Sequence, residues 1–137
     1  MALRIDSIDI FPREAHVRVS LWPACPNVVS PACAHYILER YPQLANHACF
    51  SGGAHVFGQV IRGTSLPHVL EHLVIHEQLL QGANELHTAK RLVGCTTWTD
   101  DEHSRALIRV MFYDDLVFLR ALRTQTAFLN SAVQQFS

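Results

Sequence analysis

Ser65-Leu66-Pro67-His68-Val69-Leu70-Glu71-His72-Leu73-Val74-Ile75-His76-Glu77-Gln78 places three histidines and two carboxylates in an otherwise apolar run. A helix turns about 100° per residue, so His68 and His72 project from one side a turn apart, with His76 next in the row and Glu71 beside His68. Ser65 or Thr64 can cap the first free N–H groups, Pro67 suits a first turn, and Gly82 is a natural stop. Leu66, Val69, Leu70, Leu73 and Leu80 form one apolar stripe, while Ile75 and Leu79 fall on the side that carries His68 and His72. The helix is thus apolar nearly all round and is expected to be buried.

Burying a carboxylate among imidazoles costs several kcal/mol unless the groups are satisfied. A metal ion or a closed hydrogen-bond network must offset that cost. Two imidazoles one turn apart can share an ion, and His68-x-x-Glu71-His72 follows the inverted zinc-peptidase pattern, with two histidine ligands and a glutamate that takes a proton from water. A histidine row can equally be a hydrogen-bonded core feature, and a third protein ligand distinguishes the two.

The 137 residues, 49% hydrophobic and 17% charged, suffice for one real core, and a single domain over 1–137 is expected. A formal net charge of −1 without a lysine or arginine run argues against nucleic acid or an anionic membrane surface as partner. Small molecules, peptides and proteins remain. Residues 1–6 lack the long apolar run of a signal peptide, and no window approaches the roughly 18 apolar residues of a membrane span, so the cytoplasm is the default compartment. Cys25, Cys33, Cys49 and Cys95 have no C-x-x-C spacing, which argues against a zinc ribbon or redox pair; they read as small core residues. Neither Cys25 nor Cys49 has an activating base adjacent in sequence.

Residues 1–22 predict two strands. Leu3, Ile5, Ile8 and Ile10 alternate loosely, Pro12 breaks the run, and Val17, Val19 and Leu21 alternate with His16, Arg18 and Ser20. Ser30-Pro31 opens a helix to about Tyr41, on which His35 and Glu39 read as a solvated pair. Residues 44–51 predict a short strand carrying His47 and Cys49, Gly52-Gly53 a turn, and residues 56–61 a second extended piece. Gly58 and Gly63 could admit a ligand's backbone, and His47 and His55 could reach a pocket, although loop histidines usually face water. Residues 83–88 read as a loop, 91–99 and 105–113 as antiparallel strands. On the latter, Ala106, Ile108, Val110 and Phe112 face one way and Arg105 and Arg109 the other, where they could pair with substrate carboxylates or simply meet solvent. Asp114-Asp115 caps a final helix to about Gln134 with Phe118, Leu122, Leu129 and Val133 as its core stripe. Asp115 is a candidate third ligand, although capping alone would explain both aspartates. The fold class is therefore α/β of the α+β kind, a mostly antiparallel sheet with about three helices packed on it and the motif helix central.

From Tyr36 to about Ala127 the chain resembles the N-terminal domain of cyanophycin synthetases. The resemblance rests on Leu38-Glu39-Arg40-Tyr41-Pro42, Gly63-Thr64, His68-Val69-Leu70-Glu71-His72 and Arg109-Val110-Met111-Phe112-Tyr113-Asp114-Asp115. It implies an α/β domain that binds an aspartate-arginine polymer and, in some members, a zinc-dependent site that cuts it, related in motif to pitrilysin-type peptidases. The ATP-grasp and ligase-like domains of the synthetases have no counterpart in this sequence. Two departures stand out. His76 occupies the place of a family glutamate, and Gly94-Cys95-Thr96-Thr97-Trp98 replaces an arginine-threonine signature.

The expected function is a zinc metallohydrolase of peptide or isopeptide bonds, with His68 and His72 as ligands, Asp115 or His76 completing the site, Glu71 activating water, and Arg105 or Arg109 holding acidic groups. The rival is a non-catalytic peptide- or polymer-binding module, as a homodimer or a ligase accessory, in which the motif persists as a buried polar network.

Overall fold

A computed structural model describes residues 2–49, 55–82, 92–100, 102 and 104–136. The Gly52-Gly53 turn and the loop at 83–88 lie outside them.

The two N-terminal strands are β1 (Leu3–Ile10) and β2 (Glu14–Leu21), a hairpin in which Leu3 faces Leu21 and Ile10 faces Ala15. The register slips between Ile5 and Ser7. That extra residue explains the loose alternation: Leu3 and Ile5 before it and Ile8 and Ile10 after it end up on the same face despite the change of parity. Two later strands, β5 (Gly94–Asp100) and β6 (Arg105–Met111), complete an antiparallel sheet of order β1-β2-β6-β5. Its inner face is Leu3, Ala15, Val17, Val19, Leu21, Ala106, Ile108 and Val110, all buried.

The motif helix α3 (Leu66–Gln81) lies over β5 and β6 and beside the C-terminal helix α4 (Asp115–Phe136), which also packs on α1 (Pro31–Arg40). Ser65 caps α3 by accepting from the His68 N–H (3.2 Å), Pro67 sits in the first turn, and the Gly82 N–H closes on the Gln78 carbonyl. Every residue from Val69 to His76 is buried, as an all-round apolar helix requires. Leu80 is the departure, standing exposed near the end of the helix. Asp114 caps α4, its Oδ1 accepting from the Leu116 and Val117 N–H groups. His35 and Glu39 form the expected exposed pair on α1. No helix among the described residues is long and apolar enough to cross a membrane.

Between α1 and α3 the chain makes a 3-10 turn (Pro42–Asn46) and a small hairpin of β3 (Ala48–Cys49) and β4 (His55–Val56). The extended piece expected over 56–61 stops at Val56, and Phe57–Val60 forms a short helix, α2. The reason is in the spacing: Phe57 and Ile61, four apart, are both fully buried, which a helical turn allows. A Cβ on Gly58 would sit 2.8 Å from Ala45 Cβ, so this glycine serves the close packing of α2 on the 3-10 turn rather than a ligand. Gly63, at φ +82°, serves the turn into α3.

Candidate metal centre

One turn of α3 brings His68 and His72 side by side, ring centroids 4.9 Å apart. The small hairpin carries Cys49 up to them, with its Sγ 3.5 Å from His68 Nε2. Among the described residues, Cys49, His68 and His72 are the one group of three potential ligands whose donor atoms all lie within 4.8 Å of one another. Zn–N bonds of about 2.0–2.1 Å and a Zn–S bond of about 2.3 Å put tetrahedral donors roughly 3.5 Å apart, so this set fits a metal ion with little rearrangement.

One wall is aromatic. Phe57, fully buried, stacks on the His72 ring at 4.0 Å and meets His68 edge-on. Placing Phe57 there is what the helical turn of α2 accomplishes. Thr64 Oγ1, 2.8 Å from His68 Nδ1, occupies that ring's other nitrogen and leaves Nε2 facing Cys49.

Glu71 and His72 are each 4% exposed. Glu71 points toward the sheet, where Thr96 Oγ1 donates to its Oε1 at 2.7 Å, and its Oε2 lies 3.7 Å from His72 Nε2. Burial pushes the Glu71 carboxyl up to about 7, against the opposing pull of the Thr96 hydrogen bond. Burial also drives His72 down to about 3, with the neighbouring His68 and His47 acting in the same direction, and His68 is lowered by burial alone. These imidazoles are neutral at pH 7, with lone pairs that protons do not contest.

A second histidine pair adjoins the group. His47, at the end of the 3-10 turn, sits with its Nδ1 3.5 Å from His72 Nδ1 and its Nε2 3.2 Å from His76 Nδ1. Burial, then the proximity of His76, lowers His47 to about 4; burial lowers His76, with Glu77 opposing.

The structure thus brings His68, Glu71 and His72 together, with His76 bordering them through His47, and sets Asp115, Arg105 and Arg109 apart. Asp115 stands exposed in the first turn of α4 and belongs to no such group; the helix start is acidic because Asp114 caps it and a negative charge suits a helix N-terminus. His76 adjoins His47 and the edge of Tyr41 and is not in the three-donor set. Arg105 and Arg109 are exposed on the sheet's outer face, since they alternate with Ala106, Ile108 and Val110, whereas Glu71 meets the inner face through Gly94 and Thr96. Strand geometry thus sets both arginines on the face of the sheet opposite Glu71.

Sequence reasoning named His47 only as a loop histidine that could reach a pocket, and did not place Cys49, Thr64, Phe57 or Thr96 beside His68 and His72. The available signal was His47-Ala48-Cys49, two donor types spaced two apart on a strand-like segment just upstream of the motif. Among known proteins, no family model matches the chain and no curated protein matches it.

Proposed function

We propose that the domain is a zinc-dependent hydrolase of peptide or isopeptide bonds, with the aspartate-arginine polymer suggested by the cyanophycin synthetase resemblance as its substrate class. The observation that carries the reading is the meeting of Cys49 with His68 and His72 beside the buried carboxylate of Glu71. These three side chains would hold the ion, which in such a set supplies Lewis acidity toward water and carbonyl oxygen.

Glu71 is the proton carrier. Thr96 occupies Oε1, so Oε2 is the atom left to exchange protons. In hydrolysis a water oxygen bonds to the carbonyl carbon, its proton passes to Glu71 Oε2, the C–N bond breaks, and the same proton goes to the departing amine. Thr64 orients His68, and Phe57 covers one face of His72 and keeps solvent from that side.

The test is zinc content of purified protein with and without His72→Ala, followed by an assay on aspartate-arginine polymer. One equivalent of zinc in the wild type, lost in His72→Ala, with Glu71→Gln keeping metal and losing cleavage, is the expected result. A wild type that takes up no zinc, or a Glu71→Gln protein that still cleaves, overturns the reading.

A second reading is favoured by one observation: Glu71 already has a hydrogen-bond partner in Thr96, and His47 one in His76, as a buried polar network needs. On that reading the domain binds peptide or polymer without cleaving it, as a homodimer or the accessory of a ligase. It predicts polymer binding that survives both Glu71→Gln and removal of metal.

A further inference from the structure

A metal-ligating imidazole presents one nitrogen to the ion, and the partner of its other nitrogen decides which tautomer is present. For His68 that partner is Thr64. For His72 it is another histidine: His47 Nδ1 lies 3.5 Å from His72 Nδ1, and His47 Nε2 lies 3.2 Å from His76 Nδ1. The opposite nitrogen, His72 Nε2, faces Glu71 Oε2 at 3.7 Å.

We infer that His47 is a positioning residue of the centre: it accepts a hydrogen bond from His72 Nδ1–H, donates its own Nε2–H to His76 Nδ1, and so holds the His72 Nε2 lone pair toward the Glu71 side. The inference rests on the metal reading above and extends it to two histidines outside the ligand set.

The proton order follows from counting. A neutral imidazole has one N–H and one lone pair, so a proton fixed on one ring of the row fixes the next. With the hydrogen on His72 Nδ1, His47 is bare at Nδ1 and protonated at Nε2, and His76 accepts at Nδ1. In the reverse order His47 Nδ1–H donates to His72 Nδ1, the His72 hydrogen moves to Nε2, and neither nitrogen of His72 remains open for an ion. Only the first order is compatible with ligation by His72. The rings are also held in place, since Phe57 stacks on His72 and Tyr41 meets His76 edge-on at 5.6 Å. This gives His76 a purpose that ligation does not: it is the acceptor at the end of the row.

The test uses the full chain labelled with 15N-histidine, in metal-free and zinc-loaded forms, with tautomers read from two-bond 15N–1H correlations. Zinc affinity is measured by competition with a chromophoric chelator. In the wild type His72 is expected as the Nδ1–H tautomer in both forms. His47→Phe, which keeps a ring but no nitrogen, is expected to lose that single tautomer and to bind zinc about 10- to 100-fold more weakly. His47→Asn, whose amide oxygen replaces the accepting Nδ1, is expected to restore both to within a few-fold, which a merely space-filling role would not require. The inference is overturned by an Nε2–H tautomer at His72 in the metal-free wild type, by His47→Phe binding zinc as the wild type does, or by His47→Asn losing as much as His47→Phe. If the wild type binds no zinc, the metal reading falls, and the metal-free tautomer of His72 alone decides whether His47 holds it.

Discussion

Gly94→Ala separates the steric demand around Glu71 from everything else in the centre. A Cβ at this position of β5 would lie 2.7 Å from Glu71 Cγ and 2.9 Å from both Cδ and Oε2, where carbons in contact normally stay about 3.5–4.0 Å apart. Glu71 cannot step aside cheaply, because it is buried and its Oε1 is tied to Thr96 at 2.7 Å. Overpacking of this kind costs about 1–3 kcal/mol, and loss of a hydrogen bond to an ionised carboxylate adds about 1.5–3 kcal/mol where Glu71 is charged. Alanine in place of glycine restores about 0.4–1 kcal/mol by restricting the unfolded chain. The net expectation is destabilisation by about 0–2.6 kcal/mol where the Thr96 hydrogen bond survives and about 1.5–5.6 kcal/mol where it is lost from a charged Glu71. In a Glu71→Ala background the three clashing atoms are gone, so the same substitution should become neutral or stabilising by about 0.4–1 kcal/mol. Urea denaturation of the four proteins in the cycle, in the presence of a chelator so that metal linkage does not enter, measures the coupling directly. A Gly94→Ala cost that is the same in both backgrounds, within about 0.5 kcal/mol, would refute the placement of Glu71 against β5.

Cobalt-loaded protein should show a thiolate-to-cobalt charge-transfer band in the near ultraviolet, and Cys49→Ser should abolish it; a band that persists removes Cys49 from the ligand set. Asn130→Ala should cost about 2–4 kcal/mol, because its Oδ1 accepts from the Ala2 and Leu3 N–H groups at 2.9 and 2.7 Å and its Nδ2 donates to the Leu3 carbonyl at 3.0 Å, pinning β1 to α4; a thermal shift of a degree or less would contradict this. The metal-free protein should lose stability as pH falls below 6.5. Between 4.5 and 6.5 the unfolded chain protonates His47 and His72 while the folded chain does not, and the folded chain protonates Glu71 while the unfolded one does not. Two protons against one, with His68 and His76 lowered by burial in the folded chain as well, leave a net uptake of at least about one on unfolding, or roughly 1.4 kcal/mol or more per pH unit, with stability retained above 6.5; denaturation midpoints that hold level or rise toward acid would refute it. Arg105→Ala and Arg109→Ala should leave polymer turnover within about twofold of the wild type, since both side chains stand on the sheet face away from Glu71. A tenfold fall in kcat/KM would contradict that placement.

Local physics determined most of the fold. A cap at Ser65, a first-turn proline and a stop at Gly82 define α3, and the 100° rotation alone sets His68, Glu71 and His72 close together. Alternation in β2 and β6 likewise predicts two half-buried antiparallel strands, because side chains two apart share a face whatever lies beyond them. The broken alternation in β1 was visible too, but only the pairing with β2 shows that one extra residue restores the face.

The remaining assignments were long-range, and no periodicity encodes those. Arg105 and Arg109 share a face by sequence, yet it is the packing of α3 on Ala106, Ile108 and Val110 that sets that face away from Glu71. Asp115 was the donor expected from a distant segment, and Cys49 was read as a small core residue. The sheet and helix packing leaves the first exposed at a helix start, and the hairpin of β3 and β4 delivers the second to His68. Helical rotation thus supplied two candidate ligands and an acid, because those relations span four residues; the third candidate donor and the outer histidine row depend on segments 19 to 29 positions away, whose approach is decided by what they bury rather than by how they repeat.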